Sequence, residues 1–256
     1  MTRVSIKPSF FNGFQPTLFH FLRELESNNT KDWFDEHRSR YHAEVLGPIQ
    51  AFATGVSPII AILNKDLETA PRIGKTISRI NNDARFHKNR PPYRPFIYVT
   101  FSIPGLNWTK GPVLRAGIFS HGVSVGFYPG GRHSPKAEPI QQAIRCNSKL
   151  FQHYLEHSGI ANRYWELADE PGASTKWPLP KTARKWASMD DFTIGEYFRC
   201  SDPLLPRRSF LDRSQQILID LYPLWIFAAS RNIKEDLDLY QQNARALSLP
   251  LTKAGD

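Results

Sequence analysis

Three stretches in the middle of the chain read as β-strands: Phe96 to Ile103, Val113 to Phe119 and Val123 to Tyr128. The first alternates Ile97, Val99 and Phe101 with other residues, the period-two pattern of a strand with one buried face. Ser120-His121-Gly122 reads as a hairpin turn between the last two, and Pro129-Gly130-Gly131 ends the series. The blocks before and after this meander repeat their apolar residues at helical spacing. Helices, then strands, then helices is an order that favours α+β over a doubly wound parallel sheet.

In the N-terminal block, Phe11, Phe14, Leu18, Phe21, Leu22 and Leu25 recur at three- and four-residue steps and form one helical face. Pro16 suits a first turn, and Asn28-Asn29 is a stop-and-turn signal. Thr30 caps a second helix on which Trp33, Phe34, His37 and Tyr41 share a face. Pro48 interrupts this helix or restarts a third, which runs through Phe52, Val56, Ile59, Ile60 and Leu63. Asn64 to Gly74 is a polar loop, and Ile77 to Ile80 is a short strand candidate. After the meander, Pro135 to Cys146, Lys149 to His157 and Ser209 to Ser230 read as helices. Tyr164 to Leu167 extends or follows the second of these. Pro171 to Trp186 reads as a long loop, Phe192 to Phe198 as a short helix or strand, and the tail after Leu247 as loose.

The expectation is therefore an α+β fold: N-terminal helices, a central antiparallel sheet of about four strands, then C-terminal helices. No linker separates two parts. One domain spans 1–256, with a helical part at 11–64, an Arg-rich loop and sheet at 70–133, and a helical part at 134–247.

Among the 256 residues, 33 are Lys or Arg and 24 are Asp or Glu, a net charge of +9. The whole excess lies in residues 70–133, which hold ten basic residues and one acid, Asp83. Such a cluster attracts phosphate, carboxylate or nucleic acid. Its densest part is Arg79-Ile80-Asn81-Asn82-Asp83-Ala84-Arg85-Phe86-His87-Lys88-Asn89-Arg90-Pro91-Pro92-Tyr93-Arg94. Arginine matches a phosphate or carboxylate with two parallel donors, asparagines add neutral hydrogen bonds, and Phe86 and Tyr93 offer faces for stacking. Arg79, Asn82, Arg85, Lys88, Tyr93 and Arg94 are thus candidate ligand-binding residues. Asp83 reads either as an internal counter-ion or as a general base. Cations around it would lower its pKa and weaken it as a base. His87 is the other candidate acid or base. Arg145 follows the apolar positions Ile140 and Ile144 and either reaches the sheet face or stays on the surface.

Phe11-x-x-Phe14, Thr17-Leu18-x-x-Phe21-Leu22-x-x-Leu25, Asn28-Asn29 and Trp33-Phe34, ahead of Arg79-Ile80, Asp83, Arg85-Phe86 and Pro92-Tyr93-Arg94, resemble the domain of unknown function 2461. The resemblance runs from about Phe11 to about Phe227 and implies a fold and a site, with no reaction attached. Family loops usually read Arg-Asp-x-Arg-Phe, then an acid, then Pro-Tyr-Lys. Here Asn82 stands in place of the first Arg, Asn89 near the acid, and Arg94 in place of the Lys. Asn29, Trp33 and His37 belong to the same resemblance. They read as a helix connector with core aromatics, or as residues lining one cleft with the Arg loop.

Other patterns carry less. His153-Tyr154-Leu155-Glu156-His157 has the form of an inverted zinc-peptidase motif, yet it is short and ends an amphipathic helix, so no metal is expected. Gly126 to Gly131 lacks the residues of a phosphate loop or dinucleotide fingerprint, and no cofactor is expected. Cys146 and Cys200 are too few for a disulfide framework, and burial as small apolar groups is expected of both. Lys176, Lys181, Arg184 and Lys185, with Trp177 and Trp186, border the same ligand or form a loop tied down by its tryptophans. No run of 18 apolar residues and no N-terminal leader is read, so a cytoplasmic setting is expected. The functional expectation is a basic cleft for an anionic partner, a phosphorylated small molecule or nucleic acid. The alternatives are an enzyme using Asp83 or His87 in that cleft, and a docking protein for an acidic partner.

Overall fold

The computed structural model describes residues 10–82, 91–106, 111–130, 138–168, 175–190 and 192–248. The chain opens with α1 (Pro16–Ser27), whose proline fills the first turn, where no amide hydrogen bond is lost. Leu18, Phe21, Leu22 and Leu25 are its buried stripe. Thr30 begins α2 (Lys31–Glu36) by accepting the Trp33 amide at 3.3 Å. Then α3 (Arg38–Arg40), a π-helical segment (Tyr41–Leu46) and α4 (Gly47–Leu63) run on as one helix. Pro48 neither breaks nor restarts it. The wide π turn precedes Pro48, and Gly47 N–H reaches back to the His42 carbonyl. By length and composition this helix, Arg38–Leu63, is apolar enough to cross a membrane. In the fold it is a core helix, with Ile49, Phe52, Val56 and Ile60 buried.

The sheet comprises β1 (Phe96–Phe101), β2 (Val113–Phe119), β3 (Gly122–Tyr128), β4 (Trp165–Leu167), β5 (Lys176–Pro178) and β6 (Thr193–Arg199). Its order is β1-β2-β3-β6-β4-β5, and every pair is antiparallel. Between β3 and β4 lie α5 (Glu138–Cys146), α6 (Ser148–Ser158) and α7 (Ile160–Arg163); α8 (Ala183–Trp186) precedes β6. The chain closes with α9 (Ser209–Ala229) and α10 (Ile233–Ser248).

Helices flank a central antiparallel sheet, as expected, but the sheet has six strands rather than about four, and three of them follow mid-chain helices. Tyr164 to Leu167 is not a helical extension, because Trp165–Leu167 pairs with β6. Pro171 to Trp186 holds both β5 and α8 among its described residues. Strands of three residues are too short to display a period. In β6 the alternation is masked by Glu196, which lies on the core side and is met there by Arg213 of α9. A further helix, α10, follows the one read at Ser209 to Ser230.

One face of the sheet is the core. Ile97, Val99, Phe101, Leu114, Ala116, Ile118, Val123, Val125, Phe127, Ile194 and Phe198 all point there and are buried. Helix α9 lies across it, with Phe210 edge-on to Phe198 at 5.1 Å. Phe210 also joins Phe11, Phe14 and Phe52, so the segment leading into α1 meets α4 and α9 in one aromatic cluster. The segment before β1 runs beside it at the sheet edge: Ile77 bridges Val99, and Ser78 N–H donates to the Tyr98 carbonyl at 2.9 Å.

Candidate functional site on the second face of the sheet

Residues 80–82 and 91–94 form a short two-stranded stem. Arg94 N–H donates to the Ile80 carbonyl at 2.7 Å and Asn82 N–H to the Pro92 carbonyl at 2.9 Å. The Asn82 side chain adds a bond to the Pro91 carbonyl at 2.7 Å. Asn29, just past α1, clamps this stem with both ends of its carboxamide. Its Nδ2 donates to the Tyr93 carbonyl at 2.8 Å, and its Oδ1 accepts the Tyr93 amide at 3.0 Å. The buried Tyr93 ring stacks on Phe34 of α2, centroids 4.1 Å apart. Trp33 packs on Phe21 and stacks on His37 at 4.3 Å, and His37 donates through Nδ1 to the Trp33 carbonyl. Asp83, Arg85, His87 and Lys88 lie outside the described residues.

The structure therefore brings Asn29, Asn82, Tyr93, Arg94 and Arg79 together at one sheet edge, with Trp33 and His37 on the adjoining helix. Arg145 lies elsewhere, on α5, where it donates to the Ala187 carbonyl at 3.0 Å and ties α5 to the end of α8.

Arg79 is exposed, and its carbonyl accepts a hydrogen bond from Arg94 Nη2. Arg94 is half-buried, with its guanidinium over the Phe96 ring at 5.7 Å. Among the described residues neither arginine has an ion pair, and the buried Arg94 Nε has no hydrogen-bond partner. Burial lowers the Arg94 pKa from its usual value.

Side chains alternate across a strand, so Arg94 shares its face with Phe96, Tyr98 and Thr100. The pairing register extends this face over the sheet: Arg115, Gly117 and Phe119 on β2; Gly122, Ser124, Gly126 and Tyr128 on β3; Thr193, Gly195, Tyr197 and Arg199 on β6; Trp165 on β4; Lys176 on β5. Arg94, Arg115, Arg199 and Lys176 are its cations, and the described residues of this face include no carboxylate. Glu166 and Glu196, the strand glutamates, both point to the core side. Burial raises the Glu166 pKa.

Three of the cations lie over aromatic rings of the same face. Arg94 covers Phe96, Arg115 is 5.2 Å from Tyr98 and 4.6 Å from Tyr128, and Lys176 is 4.3 Å from Trp165. Arg115 is buried and donates through Nη2 to Thr193 Oγ1 at 2.7 Å. Between these groups stand glycines, and the middle of the face is buried: Arg115, Phe119, Tyr128 and Thr193 are all shielded from solvent, and the Phe119 ring fills the space over Gly117. A Cβ on Gly126 would stand 2.0 Å from the Ile194 carbonyl oxygen, and one on Gly195 would stand 2.1 Å from that of Val125. Strands β3 and β6 approach too closely for either side chain. At the hairpin end, Phe119, His121 and Tyr197 stack in a row, and the Tyr197 ring fills the space above Gly122. Burial lowers the His121 pKa, with Glu26 opposing.

Sequence reasoning missed Arg115, Tyr98, Tyr128, Thr193 and Trp165 as a group. The signal for β1 was present: the period that buries Ile97, Val99 and Phe101 puts Arg94, Phe96, Tyr98 and Thr100 on the opposite face. Lys176 joins the face through Trp165, which lies in a strand too short to display a period. Trp186 is a tie, buried and donating to the Pro180 carbonyl at 2.7 Å. His153 and His157 are exposed, His157 is bonded to the His153 carbonyl, and no group of three metal-ligating residues occurs among the described ones. Cys146 is exposed and Cys200 half-buried, a correction to the expected burial. Cys146 falls on the outer side of α5, whereas Cys200 sits at the sheet end beside Arg23.

These features define an α+β protein whose antiparallel sheet has helices against one face and cations, aromatic rings and glycines on the other. The chain belongs to the family described as "Conserved hypothetical protein (DUF2461)", whose model matches residues 17–227. No curated protein matches it.

Proposed function

We propose that this chain binds an anionic ligand, through phosphate or carboxylate oxygens, at the Arg79–Arg94 edge of its sheet. The observation that carries this reading is Arg94. Its guanidinium is drawn out of water, its Nε has no partner among the described residues, and no described carboxylate faces it. A buried donor left unmatched costs about 1–3 kcal/mol. An anion at this position removes that cost and gains a charge-assisted hydrogen bond. Arg79, adjacent and exposed, supplies a second donor. The Asn29 clamp keeps the stem in place before any ligand arrives, so little ordering entropy is lost on binding.

Calorimetric titration with sodium pyrophosphate tests the reading. The wild-type chain is expected to bind, and Arg94→Gln to bind roughly 10- to 150-fold more weakly, the worth of one charged hydrogen bond. Equal affinity in the variant, or no binding by the folded wild type, overturns it.

A further inference from the structure

We infer that α6 carries a binding site for a divalent transition-metal ion of the zinc and copper class, held by Nε2 of His157 and a ring nitrogen of His153; this does not rest on the anion-binding reading above. The two imidazoles come from positions one helical turn apart and lie side by side, with ring centroids 3.9 Å apart. His157 Nδ1 is 2.8 Å from the His153 carbonyl oxygen. That oxygen only accepts, so Nδ1 carries the proton and Nε2 keeps its lone pair for a metal. A ligating histidine is commonly fixed in this way, with a carbonyl holding its other nitrogen. Both side chains are exposed, so an ion reaches them without opening the fold.

The surroundings suit a cation with open coordination positions. His157 falls in the last turn of α6, where unpaired helix carbonyls supply partial negative charge. Ser148, Lys149, Gln152, His153, Glu156 and Ala183 line a cavity of about 400 Å³. One Glu156 oxygen accepts Gln152 Nε2 at 2.9 Å, and Gln152 Oε1 in turn accepts the Ala183 amide at 2.9 Å. The Glu156 carboxylate is thereby held on the cavity that His153 also lines, and it adds negative charge there. Two protein nitrogens leave two positions of a tetrahedral ion open, and the cavity has room for the water or anion that fills them. Imidazole nitrogen selects zinc, copper or nickel over magnesium and calcium, which take oxygen ligands. No group of three metal-ligating residues occurs among the described ones, so the site is assigned an ion and no hydrolytic step.

The test titrates the metal-free full chain with zinc chloride in a calorimeter and records the electron paramagnetic resonance spectrum of the chain loaded with copper(II). One equivalent of zinc is expected to bind, and the copper signal to show coupling to two nitrogens. His153→Gln and His157→Gln each remove one ligand from an exposed position, where the fold does not depend on it. Each should weaken zinc binding by at least about 10-fold, the smallest loss seen when even an outer partner of a metal ligand is removed. Each should also cut the copper coupling to one nitrogen. His42→Gln, at another exposed histidine, should bind zinc like the wild type. Failure of the folded wild type to bind zinc overturns the inference, and so does wild-type affinity in both His153→Gln and His157→Gln. A copper signal that keeps two nitrogens in both variants means an adventitious ion only, held elsewhere on the surface, and overturns it as well.

Discussion

Asn29 spends both ends of its carboxamide on a single residue, Tyr93, 64 residues further along the chain. It thereby joins the turn after α1 to the stem of the Arg-rich segment. Asn29→Ala removes both bonds and leaves the part-buried Tyr93 amide and carbonyl without their partner. The expected loss is about 1–3 kcal/mol, read from urea unfolding. Faster amide exchange at Tyr93 and Arg94 should accompany it, because the stem opens without requiring the sheet to unfold. The residues alone left Asn29 as either a helix connector or a cleft residue. Its partner is remote in sequence, so no local pattern identifies the bond. The glycines of β3 and β6 were hidden for a similar reason. Gly126 and Gly195 are fixed by each other's backbone, and only the register that sets them opposite one another reveals it.

At the scale of elements, what the sequence made legible were the long, strongly periodic pieces: α1, α4, α6, α9 and the three strands of the meander. Their burial follows one face over several turns or several alternations. What escaped were pieces stabilised by their neighbours. Strands β4 and β5 are too short to have a pattern, and β6 carries a glutamate on its core side. The second glutamate of this kind, Glu166 on β4, supplies a direct test. Burial raises its pKa and no described cation pairs with it, so its charged form opposes folding. A raised carboxyl pKa means that stability is greater below the ordinary value near 4.5 and is lost as pH rises through the folded value. Glu166→Gln is therefore expected to raise the melting temperature at pH 7 and to change it little at pH 4. A lower melting temperature at pH 7 would show that the carboxylate is matched after all.

Across the whole molecule, the charge of the middle quarter was visible in the sequence, but its direction was not. Composition assigns ten basic residues and one acid to residues 70–133. The pleat of the sheet adds that cations collect on one face while both strand glutamates turn to the other. Other groups set the response of the fold to acid. Arg40 lowers the Glu24 pKa by hydrogen bonding, the Ala70 amide and then Lys75 lower that of Glu68, and burial lowers that of His121. Each is depressed on folding, so each contributes stability that is complete above its unfolded value and lost as pH falls through its folded one. The unfolded values are 6.5 for the histidine and 4.5 for the glutamates. Urea midpoints should accordingly decline in two stages, first below about pH 6.5 and again below about 4.5. His121→Phe, which preserves the stack with Phe119 and Tyr197, should remove the first stage and leave the second.

The strand order also governs the timing of assembly. Strand β6 is made last, yet it lies between β3 and β4. Until residues 193–199 leave the ribosome, the β1–β2–β3 meander has an open edge at β3, and the β4–β5 hairpin has nothing to join. The two halves of the face are then separate objects. A single late segment of seven residues closes both seams and brings Trp165 and Lys176 into the same sheet as Arg94. A growing chain thus carries a sticky strand edge for some sixty residues of synthesis after Tyr128, so the protein's yield in a cell should depend on how well that interval is chaperoned.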